Sequence, residues 1–352
     1  MTTPTNNIFL DTLIRGRAAN APVPVWLMRQ AGRYSPAFRQ LRAGMEFLQF
    51  CKQPDLCTRA TMLPMRELSV DAAILFADIL LVPEALGQPL RFEAGEGPVF
   101  GHAIRSLDQI NQLSLERMRE HIGYVYQTVR QVRAELKADK ALIGFAGAPF
   151  TVASYMVEGR GGSDHRHVKQ MMWSHDGRWH ALMEVLTQAT VEYLTEQVKA
   201  GAQALQLFDT WLEVLAPQDF EQHIRPWVGR IFDALRPLNV PLIYFGKGTG
   251  ALLPWLDPLS CTAFSVDARA DLTQFQAHFG TSRALQGNLD PVVLYGDDAL
   301  MDEAIGGILE SMRSMPRYVF NLGHGLSPDM ELPRVQRLVD RVHELSLALG
   351  PL

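Results

Sequence analysis

The 352-residue sequence is poor in lysine, in cysteine and in long apolar runs, and each shortage argues against a class of protein. It has six lysines beside 27 arginines, and its 33 basic residues are outnumbered by 38 acidic ones. Proteins that bind nucleic acid normally carry a basic excess on one face or tail, so this balance predicts that no nucleic acid is bound. A hydrophobic content of 47% argues equally against disorder.

The cysteines argue against a disulfide framework. Cys51, Cys57 and Cys261 form no CxxC pair, and their number is odd. This pattern is typical of proteins from a reducing compartment, and it fits neither a disulfide framework nor a common zinc site. We therefore expect three ordinary packing residues in a cytoplasmic protein.

No segment is long enough to suggest a membrane span. The most apolar stretch, 72–82, is shorter than the roughly 20 residues that a helix needs to cross a bilayer, and it contains Asp78. Residues 1–13 lack the basic start and apolar centre of a signal peptide. The sequence predicts no membrane partner.

Short apolar runs recur along the chain, each ending in a polar residue or glycine and each followed by a longer amphipathic segment. Eight such runs predict an α/β protein with a closed (β/α)8 barrel of the TIM type, and a doubly wound open sheet is the alternative. No linker interrupts the pattern, so residues 1–352 are expected to form a single domain. The predicted strands are 25–29, 72–78, 142–146, 204–209, 241–245, 262–267, 284–288 and 318–322, and the clearest helices are 177–200, 217–235, 299–315 and 332–349.

Two segments fall outside this alternation and are expected to be extensions of the barrel. Residues 1–20 precede the first strand, and the glycines and prolines of 83–107 predict a long loop or a hairpin. Pro217 can occupy the first turn of a helix, Asp271 can cap a helix, and Gly201 can end one.

The active site of such a barrel lies at the carboxyl ends of its strands, where polar residues become candidates. Arg29 and Arg33 follow the first strand and bracket Gly32, an arrangement that suits a polycarboxylate or phosphorylated ligand. Asp78 interrupts the most apolar stretch, where a carboxylate needs a partner or a function. The alternatives are ion-paired surface arginines and a buried structural pair between Asp78 and an arginine.

Other candidates end later strands. His324 lies between two glycines, in a loop free to present its imidazole, and the fourth strand runs into Asp209 and Thr210. Tyr155 could reach the same mouth with its hydroxyl or could be a core tyrosine. The segment 246–250, Gly-Lys-Gly-Thr-Gly, lacks the spacing of a P-loop and is expected to support the site. Four histidines without partners at metal spacing are expected to form a polar loop and helix face: His165, His167, His175 and His180.

Two segments resemble the sequence patterns of the uroporphyrinogen decarboxylase family. They read Pro-Val-Trp-Leu-Met-Arg-Gln-Ala-Gly-Arg-Tyr at 24–34 and Gly-Phe-Ala-Gly-Ala-Pro-Phe-Thr at 144–151. Shorter matches follow in family order around Asp78, Tyr155 and His324, so the resemblance covers the chain from about residue 7 to residue 345.

This resemblance implies a (β/α)8 barrel, usually a homodimer, that converts the four acetate side chains of uroporphyrinogen III to methyl groups. The products are coproporphyrinogen III and four carbon dioxide molecules, and neither cofactor nor metal is used. Asp78 would be the central carboxylate and would stabilise the protonated pyrrole intermediate, with Arg29, Tyr155 and His324 as further catalytic residues. The implied substrate-binding residues are Arg29, Gln30, Ala31, Gly32, Arg33, Asp78, Tyr155, Thr210 and His324, with Arg42 and Phe38 as weaker candidates.

The chemistry of the reaction agrees with these residue types. Loss of carbon dioxide from an arylacetate leaves an electron pair that a pyrrole ring protonated on carbon can accept. A carboxylate at Asp78, held at the centre of the macrocycle, can accept the inward pyrrole N–H bonds and stabilise that cation. Paired arginines at the rim suit a substrate with eight carboxylates.

The sequence departs from the family pattern at three places. Ala77 and Thr210 stand where many members have serine, and only the second keeps a hydroxyl. The segment 161–165 reads Gly-Gly-Ser-Asp-His, whereas the family commonly has Gly-Gly-Ser-Lys, so any role of that lysine is not carried over.

Two other functions stay open on the sequence. Relatives that share this barrel are corrinoid-dependent methyltransferases with a zinc site of His and Cys ligands, which the cysteine positions disfavour. The other alternative is a tetrapyrrole carrier without catalytic activity. It is disfavoured because all the candidate site residues occur together: Arg29, Arg33, Asp78, Tyr155 and His324. An acidic chain that binds a polyanion must concentrate positive charge locally, so we expect a positive mouth.

Overall fold

The computed structural model describes residues 7–93 and 97–350, and a parallel sheet lies at its centre. Its strands are β1 Ala72–Ile74, β2 Leu90–Glu93, β3 Gly97–Phe100, β4 Ala141–Gly147, β5 Ala204–Asp209, β6 Leu242–Gly246, β7 Ala263–Val266, β8 Ala284–Leu289 and β9 Tyr318–Leu322. Seven of them pair in parallel in the order β1-β4-β5-β6-β7-β8-β9. This order follows the chain, as in a barrel and unlike a doubly wound sheet.

The two edges of this sheet are joined by the segment around Val25. Val25 forms a parallel bridge with Phe320 in β9, and its carbonyl accepts a hydrogen bond of 2.8 Å from the backbone of Asp71, next to β1. The Asp71 carboxylate in turn accepts the Val25 N–H at 2.9 Å. The sheet therefore closes, and the prediction of a (β/α)8 barrel is confirmed.

The predicted strand at 25–29 is wrong in extent, because side chains replace its ladder hydrogen bonds. The Met28 N–H donates to the Asn321 side chain at 3.0 Å, and the Leu27 N–H donates to the Gln30 side chain at 3.1 Å. Only the single bridge remains of the eighth strand. The segment therefore closes the barrel without being a regular strand.

The first regular strand is also shorter than predicted. β1 ends at Ile74, whereas 72–78 was expected to be strand, because the Phe76 N–H donates to the hydroxyl of Thr61 at 2.9 Å. This contact takes the chain out of the sheet and leaves Asp78 in a turn. The remaining six predicted strands match the structure within one residue at each end.

The helices surround the barrel. They are α1 Ile8–Ile14, α2 Pro36–Arg42, α3 Phe47–Cys51, α4 Pro54–Glu67, α5 Leu81–Leu86, α6 Leu107–Asn111, α7 Leu115–His121, α8 Gly123–Glu135, α9 Pro149–Glu158, α10 Arg166–Trp173, α11 Arg178–Ala200, α12 Pro217–Asp219, α13 Arg225–Leu235, α14 Leu272–Phe279, α15 Asp298–Ser311 and α16 Leu332–Ala348. Short 3₁₀ turns cover Leu212–Val214, Arg236–Leu238, Thr249–Trp255 and Pro291–Tyr295.

One predicted helix is interrupted. The segment 217–235 begins with Pro217 in a first turn, as expected, but passes through a π-helical turn at Phe220–Ile224 before α13. Pro226 has no N–H to donate to the carbonyl four residues earlier, so the α-helical ladder cannot run through it. Asp271 caps α14 and Gly201 ends α11, as predicted.

The lower end of the barrel is filled by small residues and the first helix. Five strands begin with an alanine, and these alanines pack in one cluster with Phe9, Leu10 and Leu13 of α1. Trp26 is fully buried in the same cluster. The amino-terminal extension therefore closes the bottom, which leaves the carboxyl ends of the strands as the open mouth.

The predicted extension at 83–107 contains a hairpin formed by β2 and β3, although 94–96 lie outside the described residues, as do 1–6 of the first extension. The hairpin contacts the loop after α9, where the Phe100 N–H donates to the Gly159 carbonyl at 2.8 Å. All three cysteines are buried and free, as expected. None of the helices in the described ranges is long and apolar enough to cross a membrane.

Candidate active site

Asp78 lies in the turn between β1 and α5, at the mouth of the barrel. Its Oδ1 accepts the Leu80 N–H at 2.8 Å, and no other hydrogen bond to this carboxylate comes from the described residues. Burial raises the pKa of Asp78, while the Leu80 N–H and the charge of Arg29 act in the opposite direction. The site therefore holds a partly exposed carboxyl group with free acceptor capacity.

Arg29 is held in an unusual backbone conformation beside the loop that follows β9. Its φ of 61° lies in the left-handed region, which is costly for a residue with a side chain and is frequent at functional sites. The neighbouring Met28 is fixed on both sides, because its N–H donates to the Asn321 side chain and its carbonyl accepts from Leu326 at 3.0 Å. The guanidinium itself is exposed and makes no ion pair with any described residue.

Gly325 leaves the space in which the Arg29 side chain lies. A Cβ atom on Gly325 would be 2.3 Å from Cδ and 2.5 Å from Cγ of Arg29. These carbons belong to the middle of the side chain, so its tip alone cannot move away to relieve the contact. The loop sequence Gly-His-Gly at 323–325 therefore positions Arg29 as well as His324.

Replacement of Gly325 by alanine is expected to lower kcat/KM by about a hundredfold, since a displacement near 1 Å at a positioned group can have that effect. The measurement is steady-state kinetics beside thermal unfolding. Gly306→Ala in α15 is the control, because an added Cβ there meets nothing within 4 Å. Equal kinetic constants for Gly325→Ala and the wild type would show that Arg29 is not held by this contact.

The rest of the loop after the first strand divides into buried and exposed residues. The Gln30 side chain is buried, and its Nε2 donates to the Ala72 carbonyl at 3.1 Å, which ties the loop to β1. Ala31 and Gly32 are partly exposed, and Arg33 is exposed without an ion pair to a described residue. The Gln30 side chain is thus engaged within the protein, and its part in substrate binding stays a prediction, while Arg33 is free to bind an anion.

Arg29 and Arg33 make no ion pair with a described residue, whereas two arginines of the last helix do. Arg337 and Arg341 on α16 both contact Asp302 on α15, at 3.1 and 3.0 Å. These helix-face arginines are already paired with carboxylates. The unpaired guanidinium groups at the mouth are the ones available to a ligand with several carboxylates.

His324 follows β9 at the same mouth and is partly buried. Burial lowers its pKa to about 4, and the charges of Arg29 and Lys247 act in the same direction while Glu213 opposes them. The imidazole is therefore neutral at pH 7, with one nitrogen that donates and one that accepts. It can hydrogen-bond a substrate without adding a charge.

A neutral His324 predicts that kcat/KM has no histidine inflection between pH 6 and pH 8. His324→Gln keeps a neutral donor and acceptor and should retain activity within about tenfold of the wild type, whereas His324→Ala should lose more. The measurement is the pH profile of all three proteins. An inflection near pH 6.5 that disappears in His324→Gln would contradict a neutral imidazole.

Tyr155 lies on α9 and completes this group with a partly exposed hydroxyl-bearing ring. Burial and the charge of Asp78 raise its pKa, and the Trp211 side chain and Arg29 oppose that shift. Its ring centre is 5.9 Å from that of Trp211, which in turn is 4.9 Å from the ring of His165. The hydroxyl stays protonated at neutral pH and can donate to a carboxylate.

His165 and Trp211 were missed as part of the site. His165 is buried and lies in the left-handed region with a φ of 57°, whereas the histidine-rich segment was expected to be a polar loop and helix face. The remaining predicted histidines are partly or fully exposed: His167, His175 and His180. Nothing in the local sequence of Asp-His-Arg indicates that His165 packs on a tryptophan 46 residues away.

Asp209 ends β5, but its side chain is hydrogen-bonded inside the protein and does not line the mouth. It is fully buried, and it accepts hydrogen bonds from the hydroxyls of Thr151 at 2.7 Å and Tyr244 at 2.9 Å. Burial raises its pKa to about 6, and these two hydrogen bonds limit the rise. The next residue, Thr210, is partly exposed, and its part in the site stays a prediction.

Three aromatic rings from neighbouring strands form a floor that the sequence reasoning also missed. Phe208 is partly exposed, with its ring centre 5.6 Å from those of both Phe145 and Phe245. Each ring lies near the carboxyl end of its strand: Phe145 in β4, Phe208 in β5 and Phe245 in β6. Such a floor suits the face of an aromatic ligand and excludes water beneath it.

The two weaker candidates contact aromatic rings of neighbouring segments. Phe38 is buried and packs on Phe76, with ring centres 5.3 Å apart. Arg42 lies over the ring of Phe47, 5.0 Å from its centre. Within the described ranges, no three side chains of His, Cys, Asp or Glu are grouped so as to hold a metal ion.

The chain matches known proteins along almost its whole length. The family model for uroporphyrinogen decarboxylase matches residues 5–345. A uroporphyrinogen decarboxylase of Sorangium cellulosum is 44% identical over 325 residues, covering 92% of this chain and 93% of that protein. One of Carboxydothermus hydrogenoformans is 39% identical over 338 residues, covering 96% and 97%.

Solved structures show the same fold at low sequence identity. A methyltransferase from Methanosarcina mazei superimposes with a TM-score of 0.75 at 18% identity, covering 95% of this chain and 97% of that one. At this identity the likeness shows the barrel fold alone. The family match and the identities of 39% and 44% show that the chain belongs to the uroporphyrinogen decarboxylase family.

Proposed function

We propose that this protein is a carboxy-lyase that removes the carboxyl group of each of the four acetate side chains of uroporphyrinogen III, giving coproporphyrinogen III. The observation that carries this proposal is the carboxyl group of Asp78, placed at the barrel mouth with one backbone hydrogen bond and free acceptor capacity. The family match supports the reaction.

In this proposal Asp78 accepts the inward N–H bonds of the macrocycle. Burial raises the pKa of Asp78 and the charge of Arg29 opposes that shift, so a further cation bound next to Asp78 stabilises its charged form. A pyrrole ring protonated on carbon supplies that cation, and the ionised carboxylate stabilises it most when water is excluded. Carbon dioxide then leaves, and its bonding electrons neutralise the cationic ring and leave an exocyclic methylene group. A proton added to the methylene carbon and the loss of the proton from the ring carbon restore the pyrrole and complete the methyl group.

The other residues bind and orient the substrate. Arg29 and Arg33 bind substrate carboxylates through exposed guanidinium groups that make no ion pair with a described residue. Neutral His324, Tyr155 and Thr210 donate hydrogen bonds from the wall of the mouth, and the Phe208 floor contacts the face of a pyrrole ring. The reaction needs neither cofactor nor metal, because the protonated substrate accepts its own electron pair.

A corrinoid-dependent methyltransferase is the alternative, and nothing in the site favours it. The methyltransferase from Methanosarcina mazei shares the fold at 18% identity, which carries no argument about the reaction. The site residues are those expected for a polycarboxylate.

A homodimer and a cytoplasmic location are further parts of the proposal. The homodimer is supported by the family resemblance, and the location by three free cysteines. Sedimentation equilibrium of the purified chain tests the first, with about twice the mass of 39.4 kDa as the expected result.

Release of carbon dioxide from uroporphyrinogen III tests the proposed reaction. The substrate is incubated anaerobically with protein that has been treated with a chelator, and the gas is collected. We expect undiminished release compared with untreated protein. Release that stops on chelation and returns with zinc would favour the methyltransferase type of site, and no release from either sample would reject the proposal.

A further inference from the structure

The glycine-rich segment after β6 places a lysine at the mouth of the barrel. β6 ends at Gly246, and Lys247 is the next residue, so its position corresponds to that of the other site residues at the strand ends. Gly248, with a φ of 78°, brings the chain against Glu213, whose Cα would lie 3.0 Å from a Cβ on that glycine. The lysine is thereby held over the 3₁₀ turn that follows β5.

Lys247 belongs to a network of two cations and two carboxylates, in which it has a single partner. Its ammonium lies 2.5 Å from Glu213, but the other oxygen of Glu213 contacts Arg269 at 2.6 Å. Arg269 is 62% exposed at its side chain, whereas that of Lys247 is 23% exposed. Arg269 also contacts Asp267 at 2.8 Å, so it does not depend on Glu213 alone. Glu213 is the one ion-pair partner of Lys247 in the described ranges, so two of the three donors of Lys247 remain.

Lys247 also lies near the loop that carries His324, because residues 267–268 contact both segments. The Asp267 carboxylate accepts the Gly248 N–H at 3.0 Å. A Cβ on Gly323 would lie 2.2 Å from the backbone nitrogen of Ala268.

Arg29 and Lys247 both act on the pKa of His324, which places the imidazole within electrostatic range of both cations. Gly325 independently fixes Arg29 beside the same loop. The mouth therefore holds Arg29 and Lys247 within range of the same neutral histidine.

We infer that Lys247 is a second binding point for a substrate carboxylate, acting together with His324 and separately from Arg29 and Arg33. The inference rests on the proposed function, because a macrocycle with eight carboxylates extends over more of the mouth than one pair of arginines. Lys247 exchanges part of its contact with Glu213 for the carboxylate, and Arg269 keeps Glu213 paired. It binds substrate and does not take part in bond breaking.

The test uses uroporphyrin, the oxidised octacarboxylic porphyrin, whose binding is followed by fluorescence and needs no turnover. Lys247→Met should weaken binding by about tenfold or more, the effect of losing a charge-assisted contact. Arg269→Met is the control, since it removes the other cation that Glu213 contacts together with the ion-pair partner of Asp267, and its dissociation constant should stay within about twofold of the wild type. In turnover, KM should rise with little change in kcat.

Several outcomes would overturn the inference. Lys247→Met that binds like the wild type, or Arg269→Met that is weakened equally, would assign the lysine to the ion-pair network alone. If thermal unfolding shows that Lys247→Met is destabilised, Lys247→Arg is the variant to use. It keeps the positive charge and is expected to bind uroporphyrin within about threefold of the wild type, and weaker binding would overturn the inference. If the wild-type protein binds uroporphyrin but releases no carbon dioxide, the proposed function is rejected and the role of Lys247 can still be tested. If the wild-type protein binds no uroporphyrin, the proposed binding point at Lys247 is rejected.

Discussion

Asp78→Asn is expected to lower kcat/KM by about three orders of magnitude and to leave the fold intact. The amide oxygen of asparagine can still accept the Leu80 N–H, so the turn is preserved. What disappears is the negative charge opposite the cationic pyrrole, and preorganised groups of this kind contribute about a hundredfold to a thousandfold each. Because burial disfavours the ionised form, its removal should not lower the melting temperature.

Asp271→Asn is the matched control for this experiment. Asp271 makes the same type of turn, since its Oδ1 accepts the N–H of Thr273, two residues on, at 2.8 Å. It caps α14 at an exposed position, and its side chain accepts hydrogen bonds from Thr273, so kcat/KM should be unchanged. Near-normal turnover by Asp78→Asn would contradict the part given to its charge, whatever the control shows.

Asp71→Asn is expected to give the largest loss of stability, about 3 kcal/mol, because it breaks a buried ion pair at the point where the barrel closes. The Asp71 carboxylate contacts Lys140 at 3.0 Å and His343 at 2.8 Å, and it also accepts the Val25 N–H. These contacts join α16 and the first barrel segment to the approach of β1. Chemical unfolding measures the change, and the melting temperature should fall by roughly 4 °C.

Asp302→Asn is the comparison for this variant. Asp302 also contacts two basic side chains, Arg337 and Arg341, but its side chain is 31% exposed compared with 8% for Asp71. Solvent screens such a pair, so the expected loss is below about 1 kcal/mol. Equal losses in the two variants would contradict the importance of burial at Asp71.

The stability lost in Asp71→Asn should become smaller as the pH falls. Burial alone would raise the pKa of Asp71, but the hydrogen bond and charge of His343, together with Lys140 and the Val25 N–H, lower it below 3.8. A carboxyl group with a lowered pKa contributes stability that is present above its unfolded value and is lost as the pH falls through the folded one. The difference between wild type and Asp71→Asn should therefore shrink below about pH 4, and a difference that grows there would contradict it.

The sequence was informative wherever a feature is local. The apolar runs predicted β5 and β9 at their observed bounds, and the polar residues that follow strands predicted Asp78, Thr210 and His324 at one mouth. Both predictions follow from the same physical rule, because strands buried on both faces must end where the chain meets solvent.

The sequence was uninformative where contacts join distant residues. Asn321 accepts the N–H of Met28 across 293 positions and so replaces a strand that the local pattern favours. The contact between Gly325 and Arg29 is equally remote, and no periodicity indicates it. The aromatic floor had a weak signal, since Phe145, Phe208 and Phe245 each occupy a similar place near a strand end, and comparing the strand ends could have found it.

The number of carboxyl groups on the product tests the central claim most directly. The purified protein is incubated anaerobically with uroporphyrinogen III, the product is oxidised to the porphyrin, and its carboxyl groups are counted by mass spectrometry. The account predicts a product that has lost the four acetate carboxyl groups and keeps four others. A product that still carries eight would contradict it.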